Sequence, residues 1–150
     1  MKKTIPALSA LLLLVSGICA ADFRIYQDYT LSDSVINVTT VRVNQGSADD
    51  YLEGLAQTWV AANEVAKELG HIESYSIYAS DLPRSGDFNM ILVVRFADTA
   101  ALAPSRERYD AFMQAWGESR RERTQEIAKD YPSMREITGE YNMREVTLLD

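Results

Sequence analysis

"FNMILVVRF", residues Phe88–Phe96, is the stretch on which the fold turns. Successive side chains of a strand point to opposite faces. Phe88, Met90, Leu92, Val94 and Phe96 therefore share one face, and Asn89, Ile91, Val93 and Arg95 share the other. Large apolar groups lie on both faces. The expectation is a central strand covered on both sides.

The neighbouring segments supply the rest of a sheet. "HIESYSIYAS" (71–80) reads as a strand joined to the central one through "DLPRSGD" (81–87), with Pro83 and Gly86 as turn residues. "SVINVTTVRVN" (34–44) is rich in β-branched residues and reads as another strand. Its Asn37-Val38-Thr39 triplet matches a glycosylation sequon but is expected to be chance in a buried strand. Between these two strands Leu52, Leu55, Trp59, Ala62, Ala66 and Leu69 recur at helical spacing, predicting a helix from about Ala48 to Leu69 with Ser47 as its cap. Gly70 is a natural stop.

After the central strand, Asp98 caps a short turn, and a second helix carries Tyr109, Phe112, Met113 and Trp116. Gly117 is placed to kink it, "ESRRERTQEIAKD" (118–130) continues it as a solvated face, and Pro132 ends it. The last strand lies within "EITGEYNMREVTLL" (136–149), with Gly139 a candidate bulge. The order strand, helix, strand, strand, helix, strand builds an α+β fold, the ferredoxin-like βαββαβ sandwich, with two helices on one face of an antiparallel sheet. The other face, with Ile91 and Val93, then needs a cover, and a second copy of the same sheet is the simplest one.

The N-terminus reads differently. "MKKTIPALSALLLLVSGICA" (1–20) has Lys2 and Lys3, an apolar run from Ala7 to Val15 and small residues at its end, the order of a bacterial secretory signal peptide. Cleavage near Ala20 or Ala21 is expected, which removes Cys19 and leaves no cysteine for a disulfide. Ile18 before Cys19 argues against a lipid anchor. Residues 21–33 then form an N-terminal arm and 34–150 a single domain, in a periplasmic or secreted protein. Losing the two lysines takes the formal charge from −7 to −9. An acidic chain disfavours nucleic acid and anionic lipid, and no later stretch is apolar enough to span a membrane.

On this element order, on "KELGHIESYSIY" (67–78) after the Trp59 helix, and on "YASDLPRSGDFNMILVVRFAD" (78–98), the chain resembles the dimeric α/β-barrel superfamily. The types it is similar to are NIPSNAP, EthD and antibiotic-biosynthesis monooxygenase, in an exported bacterial branch with the same hairpin. The resemblance covers roughly residues 34–149 and implies a homodimer with facing sheets and a cleft between sheet and helices in each subunit. Members of that superfamily oxidise polyphenols without a cofactor, handle haem, isomerise lactones or have no assigned activity. An Asn, a Trp and a His serve the oxygenases, and these residue types do not align as a set in this chain.

The candidate site residues follow from placement. Trp59 and Trp116 on the helix faces, with Tyr78 and Arg95 on the strands, are candidate ligand contacts. Arg95 beside Ile91 and Val93 asks for a carboxylate, a partner subunit or an anionic ligand. His71, Tyr75 and Asn89 are candidate catalytic groups, although His71, the only histidine, also suits a helix end. No metal box, phosphate loop or nucleophile–base pair is present. With one histidine, no metal is expected and no cofactor is required; haem on His71 is the exception kept open. Three readings remain: a binding module for a small hydrophobic or aromatic molecule, a cofactor-free monooxygenase or haem-handling enzyme, and a structural dimer without a pocket.

Overall fold

A computed structural model of the protein describes residues 23–82 and 86–149. The expected signal peptide, and Pro83 and Arg84 of the hairpin loop, lie outside the described residues. Four strands form one antiparallel sheet: β2 (Val35–Val43), β3 (Ser74–Ala79), β4 (Met90–Phe96) and β5 (Arg135–Met143), in the order β3-β4-β2-β5. This is the ferredoxin-like topology, with the central pair β4 and β2 matched from Val35↔Phe96 to Val41↔Met90.

The first helical arm is continuous but not uniform. Helix α1 (Ala48–Leu55) passes through a π-helical turn (Ala56–Val60) into α2 (Ala61–Glu68). The buried stripe differs from the expected one. Leu55 is buried as expected, but Leu52 and Leu69 are exposed, and Tyr51, Gly54, Thr58 and Val65 are buried with Leu55. Ser47 precedes α1 without a side-chain cap bond. Gly70 takes φ +70°, and the bonds from His71 N–H to Ala66 O (2.8 Å) and Gly70 N–H to Lys67 O (3.0 Å) close a Schellman motif.

Gly117, at φ +80°, breaks the second helical arm into α3 (Arg106–Trp116) and α4 (Glu118–Ala128). Pro132 does not end this arm. It sits in the first turn of a short helix, α5 (Tyr131–Met134), where a missing N–H costs nothing. The core lies between helices and sheet, where Val41, Val43, Tyr51, Leu55, Met90, Leu92 and Tyr131 pack together.

Two irregularities shape what the sheet presents. At β5 the register slips between Thr40 and Val41, so that Gly139 faces Thr40 but Ile137 faces Val41. The extra residue, Thr138, donates from its hydroxyl to Thr40 Oγ1 at 2.9 Å. Such a bulge reverses the alternation beyond it. Glu140 consequently joins Arg135 and Ile137 on the helix-covered face, while Tyr141 and Met143 turn to the open face. The second irregularity is the arm. Strand β1 (Tyr29–Leu31) pairs with a tail strand, β6 (Val146–Leu148), as a two-stranded ribbon.

The open face carries Ile36 and Val38 of β2, Ile91, Val93 and Arg95 of β4, and Tyr78 of β3. Asn89 holds its lower corner: its Oδ1 accepts from Val43 N–H at 2.7 Å and its Nδ2 donates to Val43 O at 2.9 Å. Asn89→Ala leaves both backbone groups without these partners. Its unfolding free energy in urea is expected to fall by about 1–2 kcal/mol, with no change in the far-ultraviolet spectrum.

Candidate functional site

The site is a cleft between α1, its π-helical turn and the sheet. Its volume is about 270 Å³, and apolar and polar groups share its walls. Val41, Leu55, Leu92 and Ile137 line it, with the rings of Tyr51, Trp59 and Tyr131. Thr39, Arg135 and Glu140 supply the polar edge.

Tyr131 holds the cleft's inner wall. Its ring meets Tyr51 edge-on, with centroids 5.2 Å apart and planes at 80°. Its hydroxyl lies 2.5 Å from Thr58 Oγ1. Thr58 Oγ1 donates to Gly54 O at 2.9 Å, so Tyr131 is the donor in its bond to Thr58. A π-helical turn re-aims the side chains it carries and often marks a functional site. Here it aims Thr58 at Tyr131 and places Trp59 at the cleft. Trp59 packs edge-on against Tyr75, at 5.4 Å and 87°. The Tyr75 hydroxyl donates to Glu64, a bond that raises its pKa.

The electrostatics are uneven along the cleft. Arg135 opens β5 opposite Val43, and its Cζ sits 5.6 Å over the Tyr131 ring. Burial raises the Tyr51 pKa above its ordinary 10.0, and the neighbouring guanidinium of Arg135 offsets part of that rise. Among the described residues no carboxylate reaches Arg135 within salt-bridge distance, and its Nε is covered without an acceptor. Glu140 stands opposite Thr39, four positions along β2 from Val43.

The residues singled out in the sequence fall in different places. Trp59 lines the cleft and Tyr75 supports it. Trp116 is buried on α3, stacked on Phe112 at 6.0 Å with Arg120 over its ring, outside the cleft lining. Tyr78 is 58% exposed on the open sheet face and borders a second, open hollow at the hairpin end with Leu82, Phe88 and Ile91. Arg95 lies on that same face, donating to Ser34 Oγ at 3.0 Å, with no carboxylate in reach among the described residues. Asn89 is engaged with the Val43 backbone. It also pairs with Ser80, five positions along the chain from Tyr75. His71 closes its helix and lines none of these hollows. The three catalytic candidates therefore do not converge. Among the described residues no group of three or more His, Cys, Asp or Glu is placed to hold a metal.

Tyr51, Tyr131 and Arg135 also line the cleft, and no local pattern in the sequence marks the two tyrosines. Arg135 and Ile137 alternate onto one face of β5, and that alternation is the signal that could have found Arg135.

No family model matches the chain, and no curated protein does. Solved structures similar to it include the following three. HapK from Hahella chejuensis has a TM-score of 0.42 and 14% identity, over 74% of this chain and 91% of that one. A dimeric ferredoxin-like protein of unknown function from Thermobifida fusca YX has 0.38 and 11%, over 79% and 92%. SnoaB, a cofactor-independent oxygenase from Streptomyces nogalater, has 0.36 and 17%, over 79% and 93%.

Two measurements check this site. A Cβ on Gly54 would stand 2.9 Å from Tyr131 Cε1 and 3.3 Å from Ile127 Cγ2. Gly54→Ala is therefore expected to lower stability by about 1–3 kcal/mol through overpacking, and Gly54→Ala with Tyr131→Phe should not restore it, because the ring remains. Raising a phenol's pKa on folding means that the folded state holds its proton more tightly. The stability contribution of Tyr51 is then present below the unfolded value near 10 and is lost as pH rises through the higher folded value. Tyr51→Phe should flatten the fall of the urea midpoint above about pH 10.

Proposed function

We propose that the protein is an exported homodimer that binds a small hydrophobic or aromatic molecule in the cleft between its first helix and its sheet. The observation that carries this reading is the cleft itself: three aromatic side chains and four aliphatic ones around about 270 Å³ of space. Ligand sites are typically concave and apolar with a small number of placed polar groups. Drug-sized ligands occupy roughly 300–1,000 Å³, so this cleft suits one or two fused rings.

The open sheet face supports the homodimer. Val38 and Val93 face each other at its centre, with Ile36 and Ile91 beside them and Tyr141 at its margin. All four aliphatic residues are only partly covered within one chain. Arg95 in the same face would gain an acceptor from a facing copy. Export rests on the expected signal peptide. None of the helices described is long and apolar enough to cross a membrane.

Native mass spectrometry of the processed chain, purified from the exported fraction of producing cells, tests both parts. The expected result is a dimer carrying an added small-molecule mass that Trp59→Ala loses. Val93→Glu, which places a charge at the centre of the open face, should give a folded monomer. A wild-type monomer would refute the dimer. An apo dimer that takes up no planar hydrophobic compound at millimolar concentration would refute the binding reading.

A further inference from the structure

The cleft has a direction. Helix α1 leaves the Val43 end of the sheet and runs back along it, so Tyr51 and Trp59 stand about 12 Å apart along the helix axis. Arg135 lies at the Tyr51 end, opposite Val43, and Glu140 lies at the other end, opposite Thr39. Four positions of β2 separate them, about 13 Å at strand spacing. No salt bridge joins the carboxylate to the guanidinium. One end of the cleft is cationic, with the Tyr51 hydroxyl beside it, and the other is acidic, with the Trp59 ring beside it.

Arg135 is also poorly provided for by its own chain. It is partly buried, it rests on the Tyr131 ring and hydrogen-bonds the Tyr51 hydroxyl, but no carboxylate reaches it among the described residues and its Nε is covered without an acceptor. Buried polar groups are almost always satisfied, and those that are not ask for an explanation. A partly buried cation with no carboxylate beside it gains from an anion that pairs with it. The planar guanidinium matches a carboxylate in shape and charge.

We infer that the ligand of this cleft is an aromatic acid, with its carboxylate on the guanidinium of Arg135 and its ring running past Leu55, Leu92 and Ile137 toward Trp59. This rests on the binding reading above and deepens it. Arg135 selects the acid, and Glu140 fixes its orientation by repelling a carboxylate from the Trp59 end. Ring and acid are separate requirements. The apolar walls would accept a neutral molecule of the same outline, but only the acid answers the unpaired cation.

The test is calorimetric titration of the full processed protein with 2-naphthoate and with 2-naphthalenemethanol, which share a ring system and differ in charge. Naphthoate is expected to bind at least tenfold tighter than the alcohol. Arg135→Met should bring the two to parity while keeping or raising the urea midpoint, since it removes an unpaired charge. Arg135→Lys should retain part of the preference. Glu140→Gln should leave naphthoate binding unchanged or tighter. Equal binding of acid and alcohol by the wild type would overturn the acid assignment and leave the cleft reading standing. An undiminished preference in a folded Arg135→Met would also overturn it. If neither compound binds, the cleft reading falls as well.

Discussion

Tyr131 stands between the first helix and the sheet, and the cleft depends on where it stands. A buried phenol needs a partner for its hydroxyl. Thr58 supplies one at 2.5 Å, and Gly54 leaves the helix surface bare enough for the ring to approach. The π-helical turn follows from the same arrangement, since it carries Thr58 and sets Trp59 beside it. Helix, ring and strand are then held at a separation that side chains do not fill. The space between them is walled by Tyr51, Leu55 and Trp59 on the helix and by Val41, Leu92 and Ile137 on the sheet.

The sheet makes a second demand that this core does not meet. Strand β4 carries apolar groups on both faces, and the helices cover the one with Met90 and Leu92. The bulge at Gly139 adds Tyr141 and Met143 to the other. A Cβ on Gly139 would lie 2.6 Å from the Tyr141 hydroxyl, so the bare glycine lets that ring lie close along the strand. The open face is thus extended by the same irregularity that turns Glu140 into the cleft. The two candidate surfaces, one for a ligand and one for a second copy, are linked through one extra residue in β5.

Much of this was legible in the residues. Alternation in Phe88–Phe96 and the order of the elements were enough for the fold, because both depend on periodicity that survives without tertiary context. The helix face was legible only in part. Leu55 and Trp59 point inward as their spacing predicts, but Tyr51 is buried where Leu52 was expected, and a π-helical turn that no hydrophobic pattern announces buries Thr58 as well. The arm was not legible at all. Tyr29–Leu31 pairs with Val146–Leu148, two three-residue strands more than a hundred positions apart, and local propensity is silent about such partners. In the site, Trp59 stood out as a large aromatic group on a helix. Tyr131 and Arg135 did not, because Pro132 between them read as the end of a helix rather than the start of a wall.

The central claim is that the helix–sheet cleft, and not the open sheet face, receives the ligand. Amide and methyl NMR spectra of the processed protein, recorded as 2-naphthoate is added, test it most directly. The account predicts shifts for Leu55, Leu92, Ile137 and the Trp59 indole, with Ile36, Ile91 and Val93 left in place. Shifts confined to Ile91, Val93 and Tyr78, or a spectrum that does not move, would contradict it.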